Sequence, residues 1–388
     1  MIPRTLQTHI KKMAEVFPVV AVTGPRQSGK TTLVKANFPN YAYVNLENLD
    51  DRSAAIEDPR LFLKYHGRQG VIIDEIQKVP ELFSYLQQIA DETDKMGNYI
   101  ITGSQNFLLM EKVTQSLAGR VSINNLLPFS IDEFPQKKIL NKDLNQILYT
   151  GMYPAIYDRK ILPENYYPSY LQTYVERDVR SLKNIANLNL FQRFLKLCAG
   201  RTGQLLNLSN IGNELGIDGK TVRSWLSILE ASFIIFLLPP YFNNFKKRIV
   251  KHPKLYFYDT GLACSLLGLK NSEQLIYHYL RGAVFENFII SEYLKIKRHQ
   301  GINPNIYFWQ DNSGNEVDML IDDGGSLNAV EIKSGTTINQ DFFRNLTKFQ
   351  KFSGTTAENS YLVYGGEQGM PRKNGQVLSW RDLQQLNL

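Results

Sequence analysis

Cysteine is scarce in this sequence. Only Cys198 and Cys264 occur among its 388 residues, and they are far apart in the chain. A disulfide framework needs several cysteines, and a cysteine-based zinc site needs closely spaced ones, so the sequence excludes both. The expected location is therefore a reducing cytoplasm.

Long apolar runs are also missing. The most apolar stretch, residues 231–238, ends at two prolines and is far shorter than the roughly 20 residues that a membrane-spanning helix needs. Residues 1–12 lack the apolar centre of a signal peptide. No repeat or low-complexity tract occurs. We therefore expect neither export nor a membrane span.

Neither charge sign dominates. The chain has 44 lysines and arginines against 37 aspartates and glutamates, a net charge of +7, and 43% of its residues are hydrophobic. This composition is typical of a globular chain that buries sizeable cores, and its length predicts roughly two to three domains. Because the excess charge is small, its distribution along the chain matters more than its size.

Residues 24–31 satisfy the phosphate-binding pattern G-x-x-x-x-G-K-[ST]. An apolar run that suits a buried strand precedes them, and an apolar-periodic helix pattern follows. Two glycines let the backbone turn its amides toward one point, Lys30 reaches the outer phosphates, and the Thr31 hydroxyl ligates magnesium. The residues expected around the nucleotide are Gly24, Pro25, Arg26, Gln27, Ser28, Gly29, Lys30, Thr31 and Thr32.

Strand and helix patterns alternate over residues 1 to about 130, which predicts an α/β domain with a largely parallel sheet covered on both faces. The third strand candidate ends in Asp74 and Glu75. At a nucleotide site, the first acid holds the hydrated magnesium and the second orients an attacking water. The strand candidates are residues 19–23, 41–46, 70–74, 99–102 and 121–127.

A polar cluster, residues 102–106, follows the fourth strand candidate at the sheet edge where open parallel sheets bind ligands. Ser104 is predicted to sense the γ-phosphate, with Gln105 the next choice. Arg120, just before the last strand, is predicted to stabilise transition-state charge on the nucleotide of a neighbouring subunit. The alternative is that Arg120 is an ordinary surface residue at a strand start.

Together these motifs resemble the bacterial and archaeal AAA-type ATPases, in the branch fused to a C-terminal region of uncharacterised function. The resemblance implies ATP as the nucleotide, a sensor role for Ser104, a finger-like role for Arg120 and a second phosphate-binding charge from Arg26. The ATPase residues that it implies are Lys30, Thr31, Asp74 and Glu75. The segments that carry it are residues 24–31, 73–77, 101–104, 117–120, 128–130, 133–134, 151–154 and 174–179.

Residues from about 145 to 200 have helical periodicity. Tyr166, Tyr170 and Tyr174 recur at helical spacing, as core residues do. Two short helix patterns, residues 208–217 and 218–230, then surround a glycine-containing turn, which predicts a helix-turn-helix. Residues 233–238 and 254–258 would add a wing hairpin.

The predicted winged helix is rich in positive charge. Residues 200–256 contain eight basic side chains against three acidic ones, interleaved with Tyr241, Phe242 and Phe245. This pattern favours phosphate contacts and base stacking, and therefore DNA binding. The alternative is a winged helix that contacts protein or acts as a hinge. The basic residues are Arg201, Lys220, Arg223, Lys246, Lys247, Arg248, Lys251 and Lys254.

A second candidate active site lies in a predicted three-stranded meander of residues 306–310, 316–321 and 327–333. Period two places Glu331 and Lys333 on one face of the last strand, with Asp318 beside them. Two carboxylates and a lysine can hold one magnesium ion and orient a water for phosphodiester hydrolysis.

These residues resemble the PD-(D/E)xK nuclease pattern. Glu286, in a predicted helix of residues 281–295, matches the acid that many of those nucleases add. One departure is that no proline precedes Asp318. The alternative interpretation is a sheet face with a structural glutamate–lysine pair.

The predicted organisation has four parts. The function predicted is magnesium-dependent ATP binding and hydrolysis coupled to a nucleic-acid task, with DNA and a second copy of the chain as expected partners. A different class stays open, namely a non-enzymatic nucleotide-dependent switch that binds DNA or protein and carries an inactive nuclease-like fold. The parts are an AAA-type ATPase domain (1–145), a helical connector (146–200), a winged helix (201–258) and a restriction-endonuclease-like α/β domain (259–388).

Overall fold

Five parallel strands form the first sheet of the computed structural model, which describes residues 2–92, 94–103, 117–134, 143–175, 179, 185, 187–242 and 251–386. The strand order is β2-β3-β4-β1-β5. The predicted parallel sheet is confirmed, and its strand ends differ from the predicted ones by two residues at most. The strands are β1 (Val19–Thr23), β2 (Ala42–Asn45), β3 (Val71–Asp74), β4 (Tyr99–Gly103) and β5 (Val121–Asn125).

Helices cover both faces of this sheet. Val19 and Ala21 of β1 belong to the apolar cluster on one face, and Val20 and Val22 belong to the cluster on the other. Because alternate residues of a strand point to opposite faces, a strand that is apolar throughout suits this burial. The helices are α1 (Leu6–Ala14), α2 (Lys30–Asn37), α3 (Leu49–Glu57), α4 (Pro59–His66) and α5 (Leu82–Glu92).

A helical region follows the first sheet. Tyr166, Tyr170 and Tyr174 are buried in one apolar cluster together with Phe191 and Phe194, so their predicted core role is confirmed. Among the described residues, no helix is long and apolar enough to cross a membrane. The helices of this region are α6 (Leu144–Thr150), α7 (Pro154–Asp158), α8 (Pro163–Tyr174), α9 (Leu188–Gly200), α10 (Leu208–Leu215) and α11 (Gly219–Ala231).

Helices α10 and α11 lie where the sequence predicts the helix-turn-helix. Gly216 ends α10 with a φ of 68°, and the Asp218 side chain caps α11 by accepting a hydrogen bond from the Thr221 amide. Lys220 and Arg223 are exposed, as predicted. The predicted apolar face is buried and consists of Val222, Leu226 and Leu229.

The residues predicted to form the wing contain an antiparallel pair of strands, β6 (Ile235–Leu238) and β7 (Lys254–Phe257). All four residues of β7 are buried, so this strand does not face a DNA duplex. Residues 243–250, which include Phe245, Lys246, Lys247 and Arg248, lie outside the described residues.

A second, mixed sheet has the order β12-β13-β11-β10-β9-β8. The antiparallel meander of β8, β9 and β10 is confirmed, whereas β10, β11 and β13 run parallel. The strands are β8 (Ile306–Gln310), β9 (Glu316–Asp322), β10 (Leu327–Lys333), β11 (Ser360–Tyr364), β12 (Met370–Arg372) and β13 (Gly375–Ser379).

Two longer helices pack against the mixed sheet. Helix α14 shares one apolar cluster with it, and α15 packs through Leu346 and Phe349 in another. The remaining helices are α12 (Thr260–Leu266), α13 (Ser272–Ile276), α14 (Arg281–His299) and α15 (Arg344–Ser353). Short 3₁₀ helices span Ile76–Lys78, Ile131–Glu133, Gln340–Phe343 and Leu383–Leu386.

The carboxyl half of α14 reaches back to the segment after β5. Lys295 Nζ donates to Phe129 O over 3.0 Å, and the Ile131 amide donates to Glu292 Oε2 over 2.6 Å. One apolar cluster runs from Leu127 to Leu386 and crosses the predicted boundaries near 145, 200 and 258. The division of the chain into four domains stays a prediction.

Candidate active sites

The loop after β1 turns tightly onto the start of α2. Gly24 has a φ of 150°, and a Cβ atom there would lie 2.1 Å from Leu126 O. Gly29 has a φ of 95° in the left-handed region at the N-cap of α2. A side chain would be strained at both positions, which explains why the pattern needs glycine there.

The Lys30 ammonium is held inside this loop. Lys30 Nζ donates to Gly24 O over 3.0 Å and to Pro25 O over 2.8 Å, and the residue is 6% exposed. The Ser28 hydroxyl is also buried and has no hydrogen-bond partner among the described residues. A buried hydroxyl and an ammonium beside a helix N-terminus are groups that suit a phosphate ligand.

The two predicted magnesium-holding residues meet at the sheet edge. Thr31 Oγ1 donates to Asp74 Oδ2 over 2.8 Å, and two further hydroxyls donate to the same carboxylate. Tyr43 contacts Oδ2 over 2.9 Å, and Thr102 contacts Oδ1. Thr102 belongs to the predicted polar cluster of residues 102–106, whereas sequence reasoning missed Tyr43, although it lies in a predicted strand of this sheet.

Glu75 lies directly after β3 and lines the same cleft as Lys30 and Thr31. Its φ of 57° is left-handed, and Gln77 Nε2 donates to its Oε2 atom. A non-glycine residue in this conformation is strained, and such strain is concentrated at functional sites. The geometry places Glu75 beside the phosphate loop, as the sequence predicts for a water-orienting residue.

A cleft of about 680 Å³ lies between the phosphate loop and the helical region. Its volume is within the range of small-ligand pockets. Basic side chains predominate among its charged residues, and this favours an anionic ligand. The lining includes Ile2, Arg4, Arg26, Gln27, Ser28, Gly29, Lys30, Thr31, Thr32, Glu75, Phe129, Pro154, Ala155, Asp158, Arg159 and Thr173.

Arg4 fixes the back of the loop, a role that sequence reasoning missed. Its guanidinium donates to Ser28 O over 2.8 Å, to Leu127 O over 2.7 Å and to Glu133 Oε1 over 3.0 Å. His299 of α14 completes this buried group, because its Nε2 accepts from the Leu127 amide over 3.3 Å. The phosphate loop is thus tied through Arg4 to residues next to α14.

The other predicted ATPase residues lie elsewhere. Ser104 and Gln105 are outside the described residues. Arg120 forms an ion pair with Asp91 at the start of β5, whereas the phosphate loop follows the end of β1. Because β1 and β5 are parallel, Arg120 lies at the sheet edge opposite the loop of its own chain. Its action on a neighbouring subunit stays a prediction.

Three carboxylates converge at the C-terminal candidate site. Glu286 of α14 and Glu316 and Asp318 of β9 have carboxylate oxygens within 4.8 Å of one another, and we call them the acidic cluster. Glu316 was missed by sequence reasoning, although period two along β9 places it on the same face as Asp318. The sequence predicts the helix that carries Glu286 and the strand that carries Asp318, and the fold brings these two side chains together.

An ammonium group already occupies the acidic cluster. Lys254 Nζ lies 3.3 Å from Glu286 Oε1 and also contacts Glu316 Oε1, and its side chain is 3% exposed. The Tyr256 hydroxyl donates to Glu286 as well. The prediction that Lys254 is one of the basic residues that contact DNA is wrong, because packing of β7 against α14 turns its side chain inward.

The predicted Asp318, Glu331 and Lys333 also lie together. Lys333 Nζ is 3.4 Å from Asp318 Oδ2 and 2.7 Å from Glu331 Oε1, and the Ile332 amide donates to Asp318. Asn345 donates to Glu331 Oε1, while the buried Oε2 has no partner among the described residues. Lys333 therefore links the two predicted metal-binding acids.

Burial sets the direction of the pKa shift for the two glutamates Glu331 and Glu286. It raises the pKa of Glu331 to about 8, with the Asp318 charge adding to the effect. Burial also raises the pKa of Glu286 to about 7, although Lys254 opposes the shift. For Lys254 itself, burial disfavours the charge, but the Glu286 and Glu316 carboxylates outweigh it and raise the pKa. The ammonium is therefore charged at neutral pH.

Three family models match successive parts of the chain. Residues 16–135 match an AAA domain, residues 141–273 match a domain of unknown function (DUF8612), and residues 281–383 match another domain of unknown function (DUF4143). Residues 16–135 therefore form an AAA-type domain, and the chain continues from it into further regions. No family model gives those regions an activity.

Relatives cover most of the chain. An uncharacterized protein of Mycobacterium tuberculosis is 28% identical over 341 residues, which are 86% of this chain and 74% of the relative, and a Mycobacterium bovis protein matches equally. The solved Walker-type ATPase of Pyrococcus abyssi is 16% identical and aligns over 69% of this chain and 96% of its own, with a TM-score of 0.46.

Proposed function

We propose that this protein binds ATP with magnesium in the cleft beside the phosphate loop and hydrolyses it. The observation that carries the proposal is the hydrogen bond between Thr31 and Asp74, directly beside the buried Lys30 ammonium. A hydroxyl and a carboxylate at one point are the oxygen ligands that magnesium prefers. Magnesium bound there would neutralise charge on the phosphates.

The residues of the chain have separate tasks in this reaction. Lys30 turns its ammonium from its own loop carbonyls to the outer phosphates, and Arg26 adds a second positive charge. The loop amides and the Ser28 hydroxyl contact the phosphate oxygens. Glu75 orients the water that attacks the γ-phosphate.

Substitutions of Lys30 and Glu75 test this proposal. Lys30→Ala is expected to abolish nucleotide binding. Glu75→Gln is expected to keep binding and to lower steady-state turnover by about 100-fold or more, because loss of a water-orienting group weakens the transition state more than the ground state. Glu57→Gln, at an exposed position on α3, is the matched control. Wild-type turnover in Glu75→Gln would remove Glu75 from the mechanism.

We further propose that hydrolysis is coupled to a nucleic-acid task, with residues 201–258 as a winged helix that contacts DNA. Exposed Lys220 and Arg223 on α11 support this assignment. The test is ATP turnover with and without duplex DNA, together with DNA affinity at several salt concentrations. DNA binding that does not depend on salt, or no binding at all, would leave residues 201–258 as a protein-contact unit.

The Lys254 contact favours a second candidate function. A nuclease of the PD-(D/E)xK kind needs a metal ion at its carboxylates, and an ammonium fills the acidic cluster. In this alternative, residues 259–388 form an inactive nuclease-like fold, and the protein is a nucleotide-dependent switch that binds DNA or a partner protein. Metal-dependent cleavage of linear, branched or single-stranded DNA by the wild type would contradict it.

A further inference from the structure

Tyr43 reaches the candidate ATP site from the outermost strand of the first sheet. It lies on β2, the outermost strand, which pairs with β3 so that Asn45 is opposite Asp74. The Tyr43 side chain crosses to β3, and its hydroxyl lies 2.9 Å from Asp74 Oδ2. Because 36% of Tyr43 is exposed, this tyrosine does not serve mainly to fill the core.

The hydroxyl of Tyr43 shares Asp74 Oδ2 with that of Thr31, while Thr102 donates to Oδ1. Thr31 is itself a candidate magnesium ligand, and its hydroxyl oxygen would serve the ion while its proton can still be donated to Asp74. Tyr43 is not a candidate ligand, so the contact of its hydroxyl with Oδ2 serves only to hold that carboxylate oxygen in place.

The ring of Tyr43 is itself held in position. Lys35 Nζ of α2 lies 3.3 Å from the centroid of the ring, a cation–π contact with the helix that also bears Lys30 and Thr31. At its other end, the Tyr43 hydroxyl donates to Asp74 Oδ2. The tyrosine thus connects α2 to the Asp74 carboxylate.

We propose that Tyr43 is a positioning residue that orients Asp74 toward the magnesium ion of bound ATP. The proposal rests on the ATP site proposed above and adds a residue that no motif in the sequence identifies. Partners that orient metal-binding carboxylates change metal affinity by about 10- to 100-fold when they are removed. Tyr43→Phe keeps the ring and removes only the hydroxyl.

The test compares the affinity of a fluorescent ATP analogue in excess magnesium with its affinity in EDTA. Asp74 acts on the nucleotide only through the metal. Tyr43→Phe should therefore bind the analogue like the wild type in EDTA and about 10-fold more weakly in magnesium. Tyr65→Phe, at an exposed tyrosine of the same domain, should match the wild type in both conditions.

Three other outcomes would overturn the proposal. An equal loss of affinity with and without magnesium would assign Tyr43 a purely structural role. Unchanged affinity in both conditions would show that the hydroxyl does not orient Asp74. A wild type that binds no nucleotide in either condition would overturn the ATP site itself, and this result differs from the other two because it already appears in the unsubstituted protein.

Discussion

Replacing Lys254 with methionine removes the cation of the acidic cluster and keeps a side chain of similar length. The three carboxylates of the cluster lose the ammonium that lies among them, and a buried charge without its partner costs about 3 to 5 kcal/mol. The cost is largest where the carboxylates are charged. We expect the free energy of unfolding to fall by this amount at about pH 8.

The loss should shrink on acidification. A carboxyl whose pKa is raised in the folded state favours folding when protonated, and this contribution disappears as the pH rises through the folded pKa. The pKa of Glu286 is about 7 with Lys254 present and rises further without it. Lys254→Met should therefore be closer to the wild type in stability at about pH 5 than at about pH 8. Urea unfolding, followed by the fluorescence of the three tryptophans, measures the free energy of unfolding of both proteins at both pH values.

The same substitution should open the cluster to divalent ions. We expect Lys254→Met to bind manganese, measured by the loss of the free-ion electron paramagnetic resonance signal, and to regain stability when manganese is added. The wild type should lack this binding, as should the double variant Lys254→Met/Asp318→Asn. Lys251→Met, at an exposed lysine of the same segment, is the control. Equal manganese binding by wild type and Lys254→Met, or unchanged stability at about pH 8, would refute the reasoning.

Two further predictions concern nucleic acid. Neutralising Lys246, Lys247 and Arg248 together should weaken DNA binding and flatten its salt dependence by up to about three phosphate contacts. A titration of DNA affinity against salt concentration measures this, and an unchanged slope of affinity against salt would place the contacts elsewhere. Any magnesium- or manganese-dependent DNA cleavage should be lost in Asp318→Ala, because this residue joins the acidic cluster to Lys333. Equal cleavage by both proteins in a gel assay would identify a contaminant.

The parallel sheet and the Thr31–Asp74 pair could be predicted because each depends on local signals and one topological rule. An apolar run, two glycines and a lysine predict the loop after β1, and parallel strands bring their carboxyl ends to one edge. Thr31 and Asp74 then meet wherever the sheet forms. The position of Glu316 could also have been predicted, since it alternates with Asp318 along β9.

The role of Lys254 could not be predicted in this way. In the sequence it is one lysine in a basic segment, and local periodicity does not say whether it faces solvent or protein. Its direction is set by the packing of β7 on α14, a contact between segments about thirty residues apart. The same holds for Arg4, whose partners Leu127 and Glu133 lie more than a hundred residues away.

The contacts of α14 with residues 127–133 have a consequence for the order of events during synthesis. Lys295 binds Phe129 O and His299 accepts from the Leu127 amide, so these groups lack their partners until the ribosome has made residue 299. At about 5 to 20 residues per second, the delay after residue 133 is on the order of 10 seconds or more. The segment after β5 therefore leaves these polar groups open to water until α14, a helix encoded far downstream, has been made.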